Sequence, residues 1–92
     1  MWYLYIIRCG DNTLYTGITT NVERRLGEHK HGGPRSAKYL RSRGPLQLVA
    51  QIEVGDQGRA TRLEYHIKAL SRIEKERLVD SPVALQNLVK IF

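Results

Sequence analysis

Cysteine occurs once, at Cys9, so no internal disulfide can form and no zinc–cysteine cluster can be built. A lone thiol fits a reducing cytosol, and a cytoplasmic location is expected; Cys9 itself reads as a small buried residue on a first strand. No apolar run approaches the length that spans a bilayer. The apolar start, Met1-Trp2-Tyr3-Leu4-Tyr5-Ile6-Ile7, lacks a basic leader and a small-residue cleavage site, so it reads as a strand and not as a signal peptide. Apolar residues make up only 41% of the 92 residues, which limits the chain to one modest core. Acidic residues are outnumbered, with nine Asp and Glu against fifteen Lys and Arg and a formal net charge of +6. That excess suits a polyanionic partner. There is no internal repeat and no linker.

What is present divides into short elements. Tyr3 to Cys9 is rich in aromatic and β-branched residues and predicts a strand buried on both faces near its middle. Gly10-Asp11-Asn12 is turn chemistry, and Leu14 to Thr20 predicts a second strand, giving an antiparallel hairpin. Thr20-Asn21-Val22-Glu23 matches a capping box, with Asn21 as a competing N-cap, so a helix is expected from Val22 to Lys30. Gly32-Gly33-Pro34 ends it. Ser36 to Arg43 predicts a short second helix stopped by Gly44-Pro45. Leu46 to Val54 predicts a third strand with Leu46, Leu48, Ala50 and Ile52 on one face. Asp56 caps an expected long helix from Gln57 to Ser71, whose apolar stripe is Ala60, Leu63, Ile67 and Leu70. Arg72 to Val79 either continues it or forms a separate turn of helix. Ser81-Pro82 breaks the chain, and Val83 to Phe92 is a weakly specified tail or short helix carrying Leu85, Leu88 and Val89. The expected class is α/β of the α+β type, a small three-stranded antiparallel sheet flanked by helices. Residues 1–80 form one domain in this reading, and residues 81–92 form a short tail packed on it or trailing from it.

Several polar residues stand where a core would not ask for them. A turn near Asn12 lets Tyr5 and Tyr15 project close together from paired strands. Gly17 interrupts the second strand, which marks a bulge or a close approach by a ligand. Arg25 and His29 are four apart and share one helical face. Glu64 lies at the edge of the apolar stripe of its helix. Arg62 and Lys68 are its neighbours for ion pairing, at spacing that the sequence reading ranks as less than ideal.

Tyr5, then Tyr15-Thr16-Gly17 ten residues later, then Arg25 ten further on, then Glu64 on a later helix, resembles the GIY-YIG nuclease superfamily. The segments Tyr15-Thr16-Gly17-Ile18-Thr19, Ala37-Lys38-Tyr39-Leu40-Arg41 and Arg43-Gly44-Pro45 are similar to its small stand-alone bacterial members. Only Tyr5 of Trp2-Tyr3-Leu4-Tyr5 carries over from the first name motif, and Ile18 stands where repair-nuclease relatives often carry lysine. Asn87 is the sole candidate for an asparagine of the last helix. The resemblance implies a metal-dependent endonuclease acting on DNA, including branched or damaged structures. It implies that Tyr5 and Tyr15 orient or deprotonate a water, that Arg25 binds the scissile phosphate, and that Glu64 holds one Mg²⁺ or Mn²⁺. His29 falls at a position that relatives fill with His or Tyr. Its ordinary pKa near neutrality makes it the expected proton acceptor for a tyrosine.

Residues 24–43 carry Arg24, Arg25, Lys30, Arg35, Lys38, Arg41 and Arg43 against Glu28 alone, interleaved with Tyr39 and adjoining Gly17. This is the expected track for a phosphate backbone. No zinc finger or base-reading pattern is visible, so readout by shape is expected over readout by sequence. A domain this small has few surfaces for choosing a substrate, which points either to weak activity or to a protein partner that supplies specificity. Two rivals stand beside the nuclease: a nucleic-acid-binding module that kept the fold without cleavage, and a basic interaction protein without a nucleic-acid role.

Overall fold

The run Trp2-Tyr3-Leu4-Tyr5-Ile6-Ile7-Arg8 has almost no polar residue to turn to water, and a strand of that kind belongs in the middle of a sheet. The computed structural model, which describes residues 1–92, places it there as β1 (Trp2–Arg8), between β2 (Leu14–Thr19) and β3 (Gln47–Gly55). Both pairings are antiparallel. The period of two sends Leu4 and Ile6 to one face and Tyr5 and Ile7 to the other, and all four are 0–2% exposed. The hairpin turn is built as its residues require. Asp11 Oδ1 accepts from the Thr13 hydroxyl at 2.6 Å and from the Thr13 N–H at 3.2 Å, and Asn12 takes the left-handed conformation at φ 68°. The resulting register sets Tyr5 opposite Gly17 and Ile7 opposite Tyr15.

Of the two candidate caps, Asn21 serves: its side chain accepts from the Arg24 N–H at 3.0 Å and opens α1 (Val22–His31). Gly32, at φ 76°, closes it. The helix expected over Ser36 to Arg43 is a single 3₁₀ turn, Lys38–Leu40. Arg41 is extended at ψ 131° and Ser42 is left-handed at φ 64°, which stops it after one turn. Ala37 is extended and gives its N–H to His29, and the buried Ser36 hydroxyl bonds the carbonyls of His29 and Ala37, both at 3.4 Å.

β3 departs from simple alternation. Ile6 pairs with Ala50 but Ile7 pairs with Leu48, so Val49 is an extra residue in the ladder. Leu46 and Leu48 therefore pack on the Tyr5 face, while Val49, Ala50 and Ile52 pack on the Leu4 face. The single face expected for Leu46, Leu48, Ala50 and Ile52 is split by this bulge.

Three helices cover the Leu4 face. Asp56 caps α2 (Gln57–Lys68), accepting from the Arg59 N–H at 2.8 Å, and Ala60, Leu63 and Ile67 are fully buried against β1 and β3. This helix ends at Lys68, short of the expected Ser71, because Ser71 caps the next one. Ser71 and Glu74 form a complete capping box, both bonds at 3.2 Å, that starts α3 (Arg72–Asp80). Residues 82–91 form a full helix, α4 (Pro82–Ile91), capped by Ser81, with Leu85 in the main core beside Leu78. Arg59 holds its far end by donating to the carbonyls of Val54, Val89 and Phe92 at 3.0, 2.9 and 2.8 Å. The other face of the sheet carries α1 and the 3₁₀ turn, packed through Val22, Leu26 and Leu40 onto Tyr5, Ile7 and Cys9. No helix is long and apolar enough to cross a membrane.

Candidate active site

Gly17 organises the site by what it leaves out. A Cβ there would lie 2.5 Å from Tyr5 Cζ and 3.0 Å from Cε1, and would collide with the hydroxyl. The Tyr5 ring therefore lies across Gly17, and neither the bulge nor the ligand approach expected at this glycine is needed to explain it. The phenol is 2% exposed and its Oη sits 2.8 Å from Nε2 of His29, which is equally buried on α1.

The direction of that hydrogen bond follows from the other ring nitrogen. His29 Nδ1 accepts from the Ala37 N–H at 3.3 Å. A neutral imidazole has one donor and one acceptor, so the proton is assigned to Nε2, which donates to Tyr5 Oη. Burial first, and Arg25 second, push the His29 pKa down to about 4, against a smaller opposing effect of Glu28. The acceptor role expected of His29 is thus reversed: the ring is neutral at pH 7 and faces Tyr5 with its N–H. Tyr5 itself is pushed up from the ordinary tyrosine range, by burial and then by Tyr15, with Arg25 pulling the other way and Glu64 adding a small further rise.

Around this pair the other residues gather. The Tyr15 ring lies 6.4 Å from Tyr5 and 5.7 Å, edge-on, from His29. Arg25 Nη1 donates to Glu28 Oε1 at 3.1 Å and to the Arg35 carbonyl, which fixes the guanidinium on the same side of α1 as His29. Glu64 comes from α2, on the other face of the sheet, at the free edge of β2. Its Oε2 pairs with Lys68 Nζ as an ion pair at 3.2 Å, and that ammonium lies 5.7 Å from the centre of the Tyr15 ring. A Glu four residues before a Lys is the favoured helical order for an ion pair, so the low rank given to Lys68 as a partner is corrected. Tyr5, Tyr15, Arg25, His29 and Glu64 thus come together from β1, β2, α1 and α2.

The basic track is largely exposed. Arg24, Lys30, Arg35, Lys38 and Arg41 face solvent. Arg43 lies 4.2 Å over the Tyr39 ring and pairs with Asp11, and Tyr39 stacks on Tyr15 at 5.9 Å. Three contributors went unseen in the sequence: the Ala37 N–H, Arg72 and Lys75. The Ala37 N–H had no sequence signal. Arg72 and Lys75 share with Thr13, Leu14 and Tyr39 a shallow cavity of about 180 Å³, and they carry the positive surface onto α3. Asn87 is not part of the cluster; it lies on α4 in a groove with His66, Leu70 and Leu88.

Comparison with known proteins places the chain in a family. Residues 1–77 match the GIY-YIG catalytic domain. The UPF0213 protein YhbQ of Salmonella typhimurium is 50% identical over 88 residues, covering 96% of this chain and 86% of the relative. A UPF0213 protein of Vibrio cholerae is 48% identical over 92 residues, covering 99% of this chain and 89% of its own length. The solution NMR structure of the UPF0213 protein BH0048 from Bacillus halodurans superimposes with a TM-score of 0.56 at 47% identity, covering 87% of this chain and 84% of that one. The chain belongs to the GIY-YIG family and, within it, to the small bacterial UPF0213 proteins.

Proposed function

We propose that this protein is a divalent-metal-dependent endonuclease that hydrolyses phosphodiester bonds in DNA, with branched or damaged structures as its preferred substrates. The observation that carries the reading is the buried Tyr5–His29 hydrogen bond with Arg25 and Glu64 beside it. A buried phenol needs one hydrogen-bond partner, which His29 supplies; a guanidinium and a carboxylate beside it go beyond that need. In this reading the His29 N–H occupies one lone pair of Tyr5 Oη and fixes the ring. The hydroxyl hydrogen is then left to orient a water in line with the phosphorus. Arg25 presents a planar fork to the scissile phosphate and to the charge that develops on its oxygens. Tyr15 walls the other side of the water, and the basic residues from Arg24 to Arg43 hold the backbone on either flank.

The donor set was weighed for a metal. No three His, Cys, Asp or Glu side chains cluster anywhere, which rules against an all-protein cage. Of the two carboxylates near the Tyr5 cluster, Glu28 is held by Arg25 at 3.1 Å, which leaves Glu64, and a single carboxylate suits Mg²⁺ or Mn²⁺, which keep several waters and complete their shell with phosphate oxygens. Bound there, the cation supplies charge for the leaving oxygen and offsets the Glu64 carboxylate, which otherwise disfavours ionised Tyr5.

A second reading, a nucleic-acid-binding module without cleavage, draws support from the Glu64–Lys68 ion pair, since a carboxylate already neutralised needs no metal. Incubation of the purified protein with supercoiled plasmid and with a branched duplex, in Mg²⁺, Mn²⁺ or EDTA and beside Glu64→Ala, separates the two. The nuclease reading expects metal-dependent nicking that Glu64→Ala loses. Binding without nicking in either metal supports the module.

A further inference from the structure

We infer that Lys68 is the resident counter-ion of the Glu64 carboxylate and competes with a divalent cation for it, so that the metal loads onto this protein together with the substrate phosphate and not before it. The inference rests on the metal reading of Glu64 and goes beyond it by naming what controls occupancy. Its basis is the contact between two charges. Lys68 Nζ is 3.2 Å from Glu64 Oε2, a unit of positive charge set directly against the carboxylate. A dication approaching the free protein meets a carboxylate whose attraction is already spent on the ammonium.

The Lys68 side chain is half exposed, while that of Glu64 is 21% exposed. The lysine is thus the mobile member of the pair. Its flexible stem lets it leave, and a phosphodiester gives it a place to go, because an incoming phosphate offers a new anion to the displaced ammonium and oxygen ligands to the metal. The Tyr15 ring face beside Nζ favours the cation near this position in the meantime. The Glu64–Lys68 pair is then the metal-free state of a site completed by substrate, and Lys68 acts on the reaction through Glu64 as a positioning residue.

The test is a titration of Mn²⁺ into the intact protein without DNA, read by the electron paramagnetic resonance signal of free Mn²⁺ and by paramagnetic broadening of the Tyr5 and Tyr15 ring signals. Lys68→Gln should bind Mn²⁺ roughly five- to ten-fold more tightly than wild type, since removing a unit charge at contact distance has about that effect even under near-aqueous screening. The broadening should reach both tyrosines. Lys68→Arg, which keeps the charge, should bind as wild type does, and the Glu64→Gln/Lys68→Gln double variant should lose the gain. Lys68→Gln affinity equal to or weaker than wild type, with Glu64-dependent binding present, overturns this inference alone. Equal Mn²⁺ binding by Lys68→Gln and the double variant overturns the metal role of Glu64 and this inference with it. Thermal melts of the variants confirm that each is folded, so that a lost signal is a lost site.

Discussion

Replacing Gly17 by alanine adds one methyl group at the point where the site has no room. Carbon atoms in contact prefer a separation of about 3.5 Å. The new Cβ would stand 2.5 Å from Tyr5 Cζ, so the ring must retreat by about 1 Å. Tyr5 is 2% exposed and cannot swing into solvent. Its bond to His29, now 2.8 Å, then stretches beyond hydrogen-bonding range. Overpacking of this kind costs about 1–3 kcal/mol, offset by a few tenths from the stiffer unfolded chain. For a domain of this size the melting temperature should fall by roughly 5–15 °C. At temperatures where the variant is folded, a nicking rate near 10²-fold below wild type is expected, the usual consequence of a misplacement of about 1 Å. Circular dichroism melts and initial rates on supercoiled plasmid measure the two effects. Tyr5→Phe should lower the rate by itself with little change in DNA affinity. In that background Gly17→Ala should cost nothing further in rate but should still lower the melting temperature, because Cζ remains in the way. A Gly17→Ala protein with unchanged stability and unchanged rate would refute the placement of Tyr5 over Gly17.

Other consequences can be read separately. His29 has a folded pKa near 4 against an unfolded value near 6.5, so the unfolded chain binds a proton that the fold refuses between those values. Stability should be at full strength above pH 6.5 and fall by about 3 kcal/mol on going to pH 4, and urea melts should show this slope much reduced in His29→Gln; identical slopes would contradict it. The paired substitution of Lys38 and Arg41 by alanine should weaken DNA binding alike for unrelated sequences and flatten log K against log salt by nearly two, the value for two lost phosphate contacts. A salt-independent affinity in the parent protein would instead favour an acidic protein partner over DNA. Arg8 grips Glu76 with two bonds of 2.9 and 2.6 Å, tying β1 to α3 away from Tyr5. Glu76→Gln should cost about 1 kcal/mol in a thermal melt and leave nicking intact, and a lost activity would mean that the α3 anchor matters to the site.

Much of this arrangement was legible from residue types alone, and the parts that were not have physical causes. The β1–β2 hairpin could be read because its apolar run, its Asp11-Asn12 turn and its lengths all agree. The Tyr5, Tyr15 and Arg25 spacings then follow from register and helix period. The bulge at Val49 was invisible because neither glycine nor proline marks it; only the demand that β3 cover both faces of β1 calls for it. The 3₁₀ turn at Lys38–Leu40 could not be distinguished from a helix, since what stops it is backbone conformation after it, Arg41 extended at ψ 131° and Ser42 left-handed at φ 64°. The Ala37 N–H bond to Nδ1 changed the expected chemistry of His29, because a tautomer is set by the partner of the other nitrogen. By contrast, the Ser71–Glu74 capping box and the Glu64–Lys68 pair were both written in plain spacing. The first was masked by the continuing apolar stripe through Leu70. The C-terminal end of the helix over residues 82–91 is held by Arg59, a long-range anchor that no local pattern announces.

The claim that Glu64 serves the chemistry, and not merely the fold, is tested most directly by measuring single-turnover cleavage and equilibrium binding on the same DNA for wild type and Glu64→Gln. The side chain keeps its shape while its charge is lost, so the melting temperature should hardly move. Cleavage should fall by at least about 10³-fold, because the anchor for the metal and its charge at the leaving oxygen go together. Binding should stay level or tighten, because a repulsion toward phosphate is removed and Lys68 is released to meet it. A Glu64→Gln protein that cleaves as well as wild type would contradict the account, as would a wild-type protein that binds DNA but cleaves nothing in Mg²⁺ or Mn²⁺.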